Sequence, residues 1–325
     1  MSSRLQTALD DGAIVLPDTG TIGVFRPSAD LDLSALPKDR VQIIQGFKPD
    51  YDAYENLGFS VATQAQGRFA ASMVCLPRAK EQARDLIATA CALSDGAVWI
   101  DGQKTDGVES VLRDIKKRTS VGAVISKAHG KIFAFDTHDF SDWAGRQMIV
   151  EGFHTAPGVF SADGIDPGSR FLSQSLPSKL TGKVADLGAG WGYLSAQILR
   201  HSGVSELHLI EAEHAALECA RQNISDERAQ FHWADARAFT TGKGFDAVVM
   251  NPPFHQGRAS DTGLGKAFIA SAARILAPHG RLWMVANRHL PYESTAAELF
   301  RTVSEVAGDN KFKIILAEKP RRSRS

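Results

Sequence analysis

Val184-Ala-Asp-Leu-Gly-Ala-Gly-Trp-Gly-Tyr193 is an apolar run that ends in an acid and then sets glycine at alternate positions, 188, 190 and 192. The run predicts a short buried strand, Lys183–Leu187, and a turn into a helix whose apolar face carries Leu194, Ile198 and Leu199. Glycine admits positive φ and lets a ligand approach the backbone with no Cβ in between. A dinucleotide loop of the G-x-G-x-x-G kind would need glycine where Tyr193 stands, so the spacing argues against a pyrophosphate cradle. An isolated G-x-G-x-G is as readily a structural turn. Its surroundings decide.

Outward from this turn the carboxy-terminal half alternates. Glu206–Ile210, Gln230–Trp233, Phe245–Met250, Arg281–Ala286 and Phe312–Ala317 read as strands. Helical patterns separate them: one carrying Ala215, Ala216, Leu217 and Ala220, one over about Gly265–Leu276, and one over Ser294–Glu305. Pro278 and Gly280 read as a break, and Gly308-Asp309-Asn310 as a turn. Strands separated by helices pair in parallel and take ligands at their carboxyl ends. The amino-terminal half is also α/β, with strands at Ala71–Leu76 and Ala97–Ile100, helices at Ala79–Ala92 and Glu109–Lys117, and a hairpin of Val121–Ser126 with Lys131–Phe135. Its glycines at 96, 102 and 107 are scattered turn residues, so a second sheet domain without a cofactor loop is expected. The boundary is expected near 145–157, giving domains 1–150 and 151–320 and a basic tail, 321–325.

A chain of 325 residues with 43% hydrophobic and 23% charged side chains suits two globular cores. Basic and acidic residues number 37 each, and residues 1–150 hold 17 basic and 19 acidic ones. Neither half is polybasic, so a nucleic-acid partner must be gripped by a local patch. The basic cluster Lys319-Pro-Arg-Arg-Ser-Arg324 reads first as a solvated tail and second as an RNA contact. Three scattered cysteines, Cys75, Cys91 and Cys219, make neither a disulfide framework nor a zinc site, and no metal is expected. With no apolar secretory core at the amino terminus and no membrane-length apolar run, the expectation is a cytoplasmic, membrane-free protein, taken as a monomer.

Acids sit at three successive strand ends. Asp186 precedes the glycine turn, Glu211 closes the next strand, and Asp235, with Ala236 beside it, follows the third. Glu211 lies where a carboxylate accepts hydrogen bonds from both hydroxyls of a ribose, and Asp235 where one could accept from an adenine amino group. Each acid alone could be a helix cap or a solvated turn. Together they fit an adenosine without phosphates, because carboxylates repel a pyrophosphate. That favours S-adenosylmethionine. Trp191 and Trp233 are candidates either to wall the adenine or to pack in the core.

Asn251-Pro252-Pro253-Phe254 follows the Phe245–Met250 strand. The prolines fix φ and remove donors, leaving the Pro252 carbonyl a bare acceptor, and the Asn251 side-chain oxygen supplies a second. Two convergent acceptors orient an exocyclic NH₂ so that its lone pair faces a methyl donor. Phe254 can stack on the base, worth roughly 1–3 kcal/mol. An ordinary Asn-Pro turn is the bland alternative. His255 reads as a surface or packing histidine before a proton acceptor.

At these residues the chain resembles the small-domain methyltransferases that modify guanine N2 in ribosomal RNA, the small-subunit methyltransferase C type and its large-subunit relative. The likeness covers about 150–318, through Pro157-Gly-Val-Phe-Ser161, Asp166-Pro-Gly-Ser169, Asp186–Gly192, Asn251–Phe254 and Ala317-Glu-Lys-Pro320. It implies two Rossmann-like domains in tandem, the first degenerate and used for RNA docking and stability, the second with a mostly parallel seven-stranded sheet. It implies a catalytic segment Asn251, Pro252, Pro253 and Phe254, and a cofactor loop of Gly188, Gly190 and Gly192. Phe160 and Ser169 fall in the segment that closes over the cofactor, and Glu211 stands where the family usually has Asp. The implied reaction is methyl transfer from S-adenosylmethionine to guanine N2 of ribosomal RNA or a ribosomal subunit. Protein glutamine or DNA adenine methylation would suit the same acceptors, but those enzymes favour Tyr after the prolines. A non-catalytic cofactor-binding assembly factor is opposed by the intact Asn251–Phe254 segment.

Overall fold

The computed structural model describes residues 3–242, 244–253, 255–256, 259–260 and 262–321, with backbone only at 255–256, 259–260 and 262. The chain divides into two compact units, Met1–Arg146 and Gln147–Ser325.

In the first unit, strands β1 (Ile22–Phe25), β2 (Val41–Ile44), β3 (Ser60–Ala62), β4 (Ala71–Cys75), β5 (Val98–Gln103), β6 (Val124–Lys127) and β7 (Gly130–Phe135) accompany helices α1 (Arg4–Asp10), α2 (Lys48–Asn56), α3 (Lys80–Leu93) and α4 (Val108–Lys116). Among the described residues they form a seven-stranded sheet in the order β3-β2-β1-β4-β5-β7-β6. β7 runs antiparallel to both β5 and β6, the latter pair being the hairpin expected from sequence.

The second unit opens with an antiparallel hairpin, β8 (Met148–Val150) and β9 (Phe153–Thr155), so the boundary expected at 150/151 falls inside this hairpin. Helix α5 (Pro167–Ser175) follows, then β10 (Gly182–Leu187), α6 (Tyr193–Ile198), β11 (Val204–Glu211), α7 (His214–Asn223), β12 (Ala229–Trp233) and β13 (Phe245–Met250). A short backbone ladder joins β14 (His255–Gln256) to β15 (Ala259–Ser260), and α8 (Thr262–Ile275), β16 (Leu276–Asn287), α9 (Tyr292–Leu299), β17 (Phe300–Gly308) and β18 (Phe312–Pro320) complete the chain. The main sheet of the described residues again has seven strands, in the order β12-β11-β10-β13-β16-β18-β17, with β18 antiparallel to both β16 and β17 and the other pairs parallel. Successive residues of β10 and β13 serve opposite faces, as strand geometry requires. Ala185, Leu187, Val248 and Met250 pack with α8 and α9, while Val184, Ala247 and Val249 pack with α5, α6 and α7.

One expectation needs correction. Ser294–Glu305 is not one helix: α9 stops at Leu299 and β17 begins at Phe300. Ala296, Leu299, Phe300 and Val303 keep a helical spacing and share one apolar cluster, which is why they read as helix. The β-branched Thr302, Val303 and Val306 favour the extended form, and β18 supplies its backbone partners. Pro278-Gly280 lies within the span of β16, but the pairing with β13 jumps there from Leu276 to Arg281, so the expected break falls at a register shift inside the strand.

The two sheets share one strand order, and their registers match position for position. Phe25 pairs with Ile44 and Val74 as Leu187 pairs with Ile210 and Met250. By that register Arg26 corresponds to Gly188, Gln45 to Glu211 and Cys75 to Asn251.

Candidate active site

The glycine turn joins β10 to α6, and all three of its glycines have positive φ: 76° at Gly188, 55° at Gly190 and 92° at Gly192. The Gly188 and Ala189 amides both donate to the Ile210 carbonyl, at 2.9 and 3.2 Å. A Cβ on Gly192 would lie 2.9 Å from Ile224 Cδ1, whereas one on Gly190 would meet nothing within 4 Å among the described residues. Gly192 therefore serves packing, and Gly190 leaves an open approach to the backbone.

Glu211 ties this turn to the next strand. Its Oε2 accepts from the Gly190 amide at 2.8 Å and its Oε1 from the Glu213 amide at 2.7 Å, and burial raises its pKa. A carboxylate has further lone pairs beyond these two, so the group can still accept from a ligand. Asp186 is fully buried. Its Oδ2 accepts from Ser195 Oγ at 2.7 Å, while Oδ1 has no partner among the described residues. Burial pushes its pKa up to about 7. Asp235 is engaged by Arg237, whose amide and Nε bond its carboxylate at 2.8 and 3.0 Å, so an adenine amino group would share this acid with a cation. The neighbouring Ala236 is buried, and its carbonyl accepts from Ser271 Oγ at 2.5 Å.

Asn251 is held through its amide nitrogen. Its Nδ2 donates to Asp166 Oδ2 and to Ser169 Oγ, each at 2.8 Å. Its Oδ1 is buried and has no partner among the described residues. Asp166 is the N-cap of α5, accepting from the Ser169 amide at 2.7 Å, with Pro167 in the first turn. Proline at this position has the φ a helix needs and no N–H to waste, and an Asp cap is worth about 1 kcal/mol. Pro252 is buried and Pro253 exposed. Phe254 and the His255 side chain lie outside the described residues.

A cleft joins the glycine turn to Asn251, lined by Phe160, Asp166, Ser169, Gly190, Trp191 and Asn251 among others, while Asp186, Glu211, Asp235, Ala236 and Pro252 are not part of its lining. Phe160 is 61% exposed, and its backbone carbonyl accepts from Trp191 Nε1 at 2.9 Å. Trp191 packs in a core with Val159, Ala216 and Cys219 while also bordering the cleft. Trp233 donates to the Ala212 carbonyl at 2.9 Å and meets His214 edge-on, away from the cleft lining. Asn223 clasps the hairpin to the turn: its amide nitrogen donates to the carbonyls of His154 and Trp191, at 2.9 and 2.8 Å, and its oxygen accepts from the His154 amide at 2.7 Å. Sequence reasoning gave no role to Asp166, Ser195 or Asn223. The Asp-Pro-x-Ser pattern at 166–169 signals a capped helix start, but nothing local shows that the cap reaches Asn251.

The first unit carries different chemistry at the matching positions. Arg26 keeps positive φ, 55°, and its amide keeps the bond to the Ile44 carbonyl, 2.7 Å, yet no glycine follows. Gln45 accepts from the Phe47 amide at 2.8 Å, as Glu211 does from Glu213, but its Nε2 donates to the Pro27 carbonyl at 2.8 Å. The strand ends β4 and β5 face a cleft that Arg4 enters, pairing with Asp101 at 2.5 and 3.0 Å, both side chains 9% exposed.

Fold and strand-end groups together define a Rossmann-like methyltransferase, and the family model described as "Methyltransferase small domain" matches residues 151–316. The chain is 30% identical over 312 residues to the ribosomal RNA small subunit methyltransferase C of Shewanella sp. (strain MR-4), covering 87% of this chain and 91% of that one. It is 30% identical over 246 residues to the Salmonella choleraesuis (strain SC-B67) protein of the same name, covering 73% and 71%. Its fold matches that of the T. thermophilus 16S rRNA N2 G1207 methyltransferase, solved with AdoMet and guanosine, with TM-score 0.78 at 22% identity over 94% of this chain and 90% of that one. The chain belongs to the ribosomal RNA small subunit methyltransferase C family.

Proposed function

We propose that the chain transfers a methyl group from S-adenosylmethionine to the exocyclic N2 amine of a guanine in ribosomal RNA. Family membership supports the enzyme class, the cofactor and the RNA substrate. The observation that carries the chemistry is the buried, unpartnered Oδ1 of Asn251. An unmet acceptor in a buried place costs about 1–3 kcal/mol, and a substrate N–H that fills it recovers that energy.

The residues present fit the cofactor. The open side of Gly190 admits its backbone approach, Glu211 can accept from the ribose hydroxyls, and Asp186 Oδ1 is an unmet polar atom behind the turn. Asp235 and Ala236 would flank the adenine, with Phe160 and Ser169 closing the other side. When bound, the cofactor supplies a sulfonium methyl, an electrophile strong enough to need no metal and no strong base. Asn251 Oδ1 and the Pro252 carbonyl then accept the two amine hydrogens and turn the nitrogen lone pair toward that methyl. With the cofactor bound, the N–C bond would form as the S–C bond breaks, and the amine would release one proton to water. In-line positioning of this kind contributes on the order of 7–11 kcal/mol. Phe254 is proposed to stack on the base. The base must leave its stack, at a few kcal/mol, so a loop or partly open RNA is the expected substrate.

We further propose that the chain acts as a cytoplasmic monomer and that its first unit docks RNA and stabilises the whole. The test of the site is Asn251→Ala. Calorimetry should give nearly unchanged S-adenosylmethionine affinity, and turnover on rRNA should fall at least about a hundredfold, the scale of a misplaced reactant. Undiminished turnover removes Asn251 from this role.

A further inference from the structure

A primary amide fits its space either way round, and only its partners decide which end is oxygen. At Asn251 the partners leave no choice. Both Nδ2 hydrogens are used, one on Asp166 Oδ2 and one on Ser169 Oγ. A carboxylate only accepts, so an amide oxygen turned toward Asp166 would set lone pairs against lone pairs at 2.8 Å. Asp166 is itself fixed, because the same Oδ2 accepts from the Ser169 amide at the start of α5. The helix terminus also favours the anion.

We propose that Asp166 and Ser169 are positioning residues that lock the Asn251 amide with its oxygen turned away from them, making the site selective for a substrate group that donates hydrogen to that oxygen. This rests on the reading of Asn251 as the amine acceptor. It extends that reading, because the acceptor would otherwise be free to present NH₂ and hold a carbonyl or ring nitrogen instead. Guanine meets the requirement through its N2 hydrogens. Inosine, with hydrogen in place of that amine, leaves Oδ1 unpaired.

Asp166→Asn separates positioning from capping. Asn caps a helix about as well as Asp, so α5 and the thermal midpoint should hold. Asn can also present NH₂ toward residue 251, which lets the Asn251 amide turn over. Steady-state kinetics on rRNA should then show kcat lower on the order of 100-fold, the scale of a misplaced reactant, with KM for S-adenosylmethionine unchanged. Competition binding should show the preference for guanosine over inosine falling toward unity. Ser169→Ala should lower kcat about three- to tenfold, as loss of one neutral hydrogen bond does, and Ser169→Thr, which keeps the hydroxyl, should restore it. Wild-type kcat and wild-type guanosine preference in D166N, with N251A inactive, would overturn the positioning role and leave the acceptor reading standing. An active N251A would overturn the reading beneath it. If D166N does not fold, the Ser169 pair decides: unchanged kcat in S169A overturns the proposal.

Discussion

Glu211 and Gln45 occupy one register position in two copies of the same sheet and differ only in charge and one polar atom. Where the following turn offers an N–H, at Gly190, the residue is an acceptor on both oxygens; where it offers a carbonyl, at Pro27, the residue is an amide. Glu211→Gln should therefore set its NH₂ against one of the two backbone donors. Calorimetry is expected to show S-adenosylmethionine binding weakened by roughly 1.5–3 kcal/mol, the size of hydrogen bonds to a charged group. Unchanged affinity would refute the ribose role. Asp186 makes a pH-dependent contribution. It titrates from 3.8 in the open chain to about 7 when folded, because burial disfavours its charge. Between those values the folded form keeps a proton that the unfolded form has lost, so its contribution to stability is full below about 3.8 and falls as pH rises to about 7. Scanning calorimetry should find a smaller loss of thermal midpoint from acid to neutral pH in Asp186→Asn than in the parent. An equal loss would place the dependence elsewhere. At this scale the sequence was legible where geometry is chain-local, as in the positive-φ glycine turn and the strand that ends at Asn251. Asp166 was not, because its meaning depends on a partner 85 residues away.

The elements that hold the site are short and are stabilised by side-chain clasps. Asn223 closes α7 and joins the β9 backbone to the glycine turn with three hydrogen bonds. Asn223→Ala leaves backbone groups unmet, and a stability loss of about 1–3 kcal/mol is expected in urea unfolding, with weaker cofactor binding. Full retention of both would mean that the hairpin does not brace the turn. Strand and helix types were readable wherever one period ran unbroken, as in β10, β13 and α8. Around Leu299 it failed, because the apolar spacing that buries α9 continues into β17 and suits either form. The early strands β1, β2 and β3 were passed over because each has only three or four residues, too few to show a period.

Across the whole molecule, one strand order appears twice and only the second copy keeps glycines and an Asn-Pro-Pro segment at its strand ends. The sequence disclosed the second copy by its motifs, while the first was expected only through the family resemblance and is seen directly in strand order and register. In the first copy the matching cleft holds a buried ion pair, Arg4 with Asp101. Arg4→Ala strands a buried carboxylate and should destabilise the first unit by about 3–5 kcal/mol in denaturant unfolding, with kcat on rRNA unchanged below the transition. A neutral effect on stability would show that this cleft is not closed by the pair. The central claim is tested most directly by incubating purified protein with isotopically labelled S-adenosylmethionine and ribosomal RNA, then analysing the nucleosides by mass spectrometry. Label in N2-methylguanosine, lost in Asn251→Ala, is the expected result. Label in another nucleoside, or N2-methylguanosine formed equally by both proteins, would contradict it.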